Sequence, residues 1–409
     1  MTRILPWAIA LLFFAPPLSA GNWPSWRGPH ATGIADEREL PLTWSRTENV
    51  RWKAPLPAPG NSTPIVWQDR VFLTVALDQG KERGLMCFDR NDGQPLWQRS
   101  VHYPEPETTH RDNPFCSGSP VTDGQRVYAS FDSAGVAAYD FDGKLLWHRE
   151  LGKLTHVWGK ASSPILYRDL LIVYRGPGVP THLVALDKLT GQTVWDVEER
   201  GVNSGTFGSW STPLVIASAA RDELIMPLPE EMKAYDPATG KELWRCAGLG
   251  TEIYSMPLLG EGLAVGVCGH NGPAMAVRLG GQGDVTGTHR LWLHPQNPQR
   301  VGSGVIDQGL LYLANATGIA ECLEAATGKT VWKERLGGTL WGSMLLADGK
   351  LYVSNLEGQT FILAAGPQFR LLATNNLEEP MKAAPAASDG QLFLRTYENL
   401  YCIEQRREE

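Results

Sequence analysis

Apolar and polar positions alternate along this chain in short runs broken by turn residues, the period-two signature of half-buried strands. Val121 to Ser130 and Leu345 to Ser354 each predict a strand pair, joined at Asp123-Gly124 and Asp348-Gly349. The pattern then repeats. Asp187 to Trp195 (Asp-Lys-Leu-Thr-Gly-Gln-Thr-Val-Trp) matches Asp236 to Trp244, Glu324 to Trp332 and Asp89 to Trp97, and a copy one residue shorter runs from Asp140 to Trp147. In these five copies Trp follows Gly by four positions, and a degenerate copy leads from Thr286-Gly287 to Trp292. The unit is an apolar strand ending in an acid, a turn with Gly where a positive φ is wanted, and a second strand carrying Trp.

A second landmark precedes an apolar strand in each unit. Ser62-Thr63-Pro64, Gly118-Ser119-Pro120, Ser162-Ser163-Pro164, Ser211-Thr212-Pro213 and Ser255-Met256-Pro257 are the clear forms. Weaker ones occur at Gly302-Ser303-Gly304, Gly342-Ser343-Met344 and Ala383-Ala384-Pro385, which makes eight units. Repeats of about 40–50 residues with four strands each are propeller blades. The expected fold is therefore an all-β, eight-bladed propeller of four-stranded antiparallel blades. Its last unit ends at Tyr401 to Glu404 with no chain left for a Trp strand, so Val50-Arg51-Trp52-Lys53 is expected to complete it and close the ring. The aromatic repeats are expected to dock blade on blade through Trp52, Trp97, Trp147, Trp195, Trp244, Trp292 and Trp332.

Composition supports one unit from 21 to 409. Gly (43) and Pro (29) are spread along the chain with no linker, and 20% charged residues leave ample apolar material for a core. A net charge of −7 without a basic run excludes the electrostatic footprint of a nucleic-acid binder. Residues 1–20 read as a signal peptide: Arg3, an apolar stretch from Ile4 to Phe14 too short to span a bilayer, Pro16-Pro17, and Leu18-Ser19-Ala20 before the cut. Gly21 stands where a lipoprotein needs Cys. The expectation is an exported, soluble monomer of the periplasm or cell exterior, without a transmembrane segment.

The pattern Ala-x-Asp-x-x-Thr-Gly-x-x-x-Trp, seen at Ala185 to Trp195 and Ala234 to Trp244, resembles the repeat of pyrroloquinoline quinone (PQQ) dehydrogenases and of BamB-type outer-membrane assembly propellers. The opening Trp23-Pro24-Ser25-Trp26-Arg27-Gly28-Pro29 resembles the start of exported PQQ-like repeat proteins. The resemblance runs from about Trp23 to Ile403. It implies the fold, while the motif residues build blades and do not touch a quinone.

The candidate chemistry is sparse. Cys87, Cys322 and Cys402 hold the register place that Ala138, Ala185 and Ala234 hold in other blades, which predicts core filling. Cys116, Cys246 and Cys268 are left open between core and disulfide roles. The dehydrogenases that the repeat resembles commonly carry a vicinal Cys-Cys pair, and no two cysteines are adjacent here. Catalytic and calcium-binding residues are not placed.

Residues just before each inner strand should rim one mouth of the channel: Trp158, Lys160, Trp210, Tyr254, Arg300, Trp341 and Lys382, with His156, Glu252 and the His110-Arg111-Asp112 insertion nearby. Four aromatics and three cations there suit a planar or anionic ligand. The leading expectation is a non-catalytic binding or assembly scaffold of the cell envelope, without cofactor, whose partner is an envelope protein or a small molecule. The alternatives are a PQQ- and calcium-dependent oxidoreductase of alcohols or sugars, and a carbohydrate-binding propeller. A glycosidase version of the last needs a carboxylate pair at the mouth, and none is evident.

Overall fold

The computed structural model describes residues 21–202, 206–217 and 221–405, so the leader-like segment 1–20 lies outside the described residues. Eight four-stranded antiparallel units follow one another around a ring. The first blade runs from its inner strand Ile65–Trp67 through Arg70–Leu77 and Glu82–Asp89 to the outer strand Pro95–His102. The eighth is closed by the chain's own ends, because Val50–Pro55 pairs antiparallel with Asn399–Glu404 and sets Trp52 opposite Cys402. Closure leaves no gap in the ring through which a foreign strand could pair.

Each repeat feature now has a mechanical reason. The third and fourth strands of every blade are interrupted by one bulge, and in seven blades the residue facing Trp just before the bulge is Ala or Cys. The indole N–H then reaches the next blade. Trp97 donates to Phe141 O at 2.9 Å, Trp147 to Lys188 O at 3.0 Å and Trp332 to Gly366 O at 3.0 Å. Trp244 departs from this pattern: the turn it should meet is the degenerate one around Gly287. Its N–H goes to the Glu223 carboxylate within its own blade, while Gly283–Asp284 pairs alongside its strand. The repeat Gly serves twice. At Gly191, φ is +72° and a Cβ would lie 2.7 Å from the Trp147 ring.

Blade seven has Ala373 where the other blades have Trp. Blade eight offers it no turn, since its third and fourth strands come from opposite ends of the chain. Trp44, from the connector that precedes the closing strand, stands in instead. It is buried and stacks on Tyr352 with centroids 6.4 Å apart, much as Trp332 meets Tyr312 at 6.2 Å. Asn375 of blade seven accepts from the Trp44 backbone N–H at 2.8 Å.

The Ser/Thr landmark forms a ring of hydroxyls about the axis. Ala384 N–H donates to Thr63 Oγ1, Thr63 N–H to Ser119 Oγ, Ser119 N–H to Ser163 Oγ and Ser163 N–H to Thr212 Oγ1, over 2.8–3.2 Å. Beyond Met256 the chain of bonds resumes through Ser303 and Ser343. It breaks where Met256 and Ala384 supply no hydroxyl. All six cysteines are buried and unpaired, and burial pushes the Cys87 thiol up to about 12.

The opening segment lies inside the ring. Trp23 bridges to Val66 of blade one, Pro24 O accepts from Thr122 of blade two, and Ile34–Ala35 pairs parallel with the inner strand of blade seven. Buried Arg27 donates to Gly304 O, Met344 O and Thr32 O, pinning blades six and seven. Gly28 admits the Trp23 ring, and Gly33 admits the Arg27 guanidinium. Residues 23–35 are a plug.

Candidate functional site: an aromatic cavity at the channel mouth

All eight blades contribute to one cavity of about 320 Å³ at the end of the channel where the outer strand of each blade leads to the inner strand of the next. Its wall at the level of the inner strands is the hydroxyl ring, with Thr63, Ser119, Ser163 and Ser343 lining it. Trp26, carried in by the plug, also lines it. The cavity is a pocket on a filled channel and not one end of an open bore.

Five of the seven residues expected at this mouth line the cavity: Trp158, Trp210, Tyr254, Trp341 and Lys382. Two do not. Lys160 turns into the wall, 4% exposed, beside a separate small void that it shares with Asp132 and Arg175. Burial holds its ammonium below the usual lysine range, and pushes the nearby Asp132 carboxyl up to about 6. Arg300, 2% exposed, is spent on an ion pair with Glu321 on the third strand of the blade it leads into. The mouth therefore holds four of the expected aromatics but one of the expected cations. Placement just before an inner strand fixes where a backbone sits, and does not fix which way a long side chain turns.

Local structure sets the aromatic wall. Gly208–Ser209 and Glu252–Ile253 pair in parallel across two blade entrances, so the following Trp210 and Tyr254 meet edge-on at 5.3 Å. Trp210 also donates to Gly159 O at 3.0 Å and meets the His156 ring at 5.0 Å. His156 is thus a support behind the wall. Burial and the Lys160 charge lower it to about 4, so it is neutral at pH 7.

The connector between blades one and two straps across the rim. Lys382 Nζ donates to Asp112 Oδ1 at 2.8 Å, and this bond holds the Asp112 carboxyl below its ordinary value. The same ammonium lies over the Trp341 ring at 4.9 Å. At the other end, Asn113 donates to Trp158 O, and the His110 ring sits 4.3 Å from Trp158. Asn61, which sequence reasoning missed, donates to Asp112 O at 3.0 Å. Its register beside Ser62-Thr63-Pro64 was the available signal. Two buried polar atoms of lining residues have no partner: Asn61 Oδ1 and Trp341 Nε1.

The profile of the family described as outer membrane protein assembly factor BamB matches residues 34–157, 81–334 and 284–366, together most of the ring. The chain belongs to this family. A curated outer membrane protein assembly factor BamB from Xanthomonas campestris is 30% identical over 137 residues, which is 33% of this chain and only 30% of that relative's length. The crystal structure of BamB from Moraxella catarrhalis superposes with a TM-score of 0.63 at 14% identity, covering 87% of this chain and 98% of that one. The quinohemoprotein alcohol dehydrogenase of Comamonas testosteroni gives 0.70 at 11% identity, over 95% and 81%. At such identities the two structures report the shared propeller alone.

PQQ is a quinone bearing several carboxylates and works with calcium in the enzymes that the repeat resembles. The cavity of this BamB-family chain offers one cation, Lys382, already committed to Asp112. Among the described residues no three of His, Cys, Asp and Glu converge as a metal cage. The donor set does not fit the quinone–calcium pair, and no reaction step is derived through it. Among the described residues, no helix is long and apolar enough to cross a membrane.

Proposed function

We propose that this BamB-family chain is an exported, non-catalytic propeller that serves as a binding or assembly module of the cell envelope, and that the aromatic mouth is its working surface. The observation that carries this reading is the charge economy of the mouth. His110 and Lys382 each lie against Asp112, and among the described residues none of the three is hydrogen-bonded to a hydroxyl that it could activate as a nucleophile. What remains is aromatic faces, amides and hydroxyls, which recognise and do not react. The described relatives, outer membrane protein assembly factors, and the leader-like residues 1–20 support an envelope location.

The test has two arms. Titration of the mature protein with PQQ plus calcium is expected to leave its melting temperature unchanged and to elicit no dye-linked alcohol oxidation. A photoreactive residue at position 158 is expected to give a discrete adduct in the native envelope, whereas one at 194, on an outer strand, gives none. Micromolar PQQ binding with oxidation would overturn the non-catalytic reading. Equal labelling from 158 and 194 would remove the mouth from it.

A further inference from the structure

We propose that the mouth cavity binds a neutral saccharide, one or two sugar rings deep, and this rests on the reading of the mouth as the working surface. A cationic ligand seeking an aromatic cage would find the Trp341 face already covered by the Lys382 ammonium at 4.9 Å. An anionic ligand would have to compete with Asp112 for that same ammonium, at 2.8 Å. The occupant that leaves this pair intact is neutral.

Hydrogen-bonding chemistry then chooses among neutral ligands. Gln299 at the side and the Ser/Thr hydroxyls below line the cavity with groups that both donate and accept. Such a lining suits a ligand that donates at one point and accepts at another. A hydroxyl does both, and a sugar ring carries several. A plain aromatic ligand would stack but make no use of these groups.

Trp158 supplies the stacking platform. Its indole is 42% exposed at the rim, with one side against His110. The aliphatic face of a pyranose, with its C–H groups, suits such a surface. A volume of about 320 Å³ is at the low end of small-ligand sites, about 300–1,000 Å³. With Trp26 and the plug filling the channel beyond, the cavity accepts a chain end or a disaccharide and not a threaded polymer.

The experiment is a titration of the mature protein with cellobiose, maltose and N,N′-diacetylchitobiose, followed by tryptophan fluorescence and calorimetry, with choline and galacturonate as charged probes. At least one neutral disaccharide is expected to saturate. Trp158→Ala and Gln299→Leu are each expected to weaken it by about tenfold or more, with melting curves unchanged for the exposed Trp158 site. Three results overturn the proposal: no neutral saccharide saturating at tens of millimolar, Trp158→Ala binding as the parent does, or a charged probe binding more tightly. If saccharides fail while position 158 still gives its discrete envelope adduct, the binding-module reading stands and the saccharide does not.

Discussion

Gly191→Ala should cost this propeller substantially more stability than Gly349→Ala, although both glycines have a positive φ near +70°. Both substitutions place an L-residue in the left-handed region, at about 1–2 kcal/mol. A stiffer unfolded chain returns about 0.4–1 kcal/mol to each. What differs is the space. At Gly349 nothing lies within 4 Å of the new methyl, whereas at Gly191 it would meet the Trp147 ring at 2.7 Å. The indole cannot retreat freely, because its N–H is tied to Lys188 O at 3.0 Å and its face meets Tyr128 at 6.2 Å. Forced overpacking of this kind adds about 1–3 kcal/mol. With a urea slope of about 3 kcal/mol per molar or more for a chain of this size, the two midpoints should differ by a few tenths to about 1 M. Urea unfolding followed by far-ultraviolet circular dichroism measures it. Equal midpoints for the two variants would refute the idea that the repeat Gly exists to admit the neighbouring tryptophan.

The stand-in tryptophan predicts an inverted ranking. Trp44 Nε1 is buried without a partner, so Trp44→Phe removes an orphan donor and is expected to cost less than Trp147→Phe, which leaves Lys188 O unmatched, while Trp44→Ala costs about 3–5 kcal/mol; thermal midpoints of the three variants decide it. Acid should act through His156. Its folded value near 4 lies below the unfolded value of about 6.5, so its contribution is present above that pH and is lost as pH falls toward 4. That loss amounts to about 3 kcal/mol, and His156→Gln should flatten the fall in a series of urea midpoints taken between pH 4 and pH 7.

The repeats made the ring legible because each recurring residue answers one local demand. Thr190-Gly191 announces a turn and Trp195 a dock, whatever the rest of the chain does. Even the missing eighth Trp strand could be sought at Trp52, since Val50 to Lys53 has the same pattern as its counterparts. The exceptions were harder to see. Trp44 carries no repeat signature, and it became necessary only because blade eight has no turn for blade seven to dock on. The site was half legible for a related reason. Trp210, Tyr254 and Trp341 are bulky and have few ways to lie near the axis. Lys160 and Arg300 occupy comparable backbone positions, but long flexible chains follow their counter-charges. Glu321 lies two strands further on in the same blade and the buried carboxylate Asp132 belongs to the preceding blade, both more than twenty residues away in sequence, so no local pattern shows them.

The plug explains why chemistry and architecture separate so cleanly here. Trp23, Arg27 and the two glycines that admit them are consumed in filling the channel and pinning five blades together, as Gly21 O also accepts from Ser388 of blade eight. The channel is occupied by the chain's own backbone, and each hydroxyl of the ring accepts a blade-to-blade bond while keeping its own O–H to donate. What is left for a ligand is the shallow cavity above Trp26, walled by aromatics whose positions are fixed from behind by Gly159, His156 and Asn113. A wall built this rigidly presents its faces with little ordering cost on binding, which favours recognition of a stiff, neutral ring over a floppy charged chain.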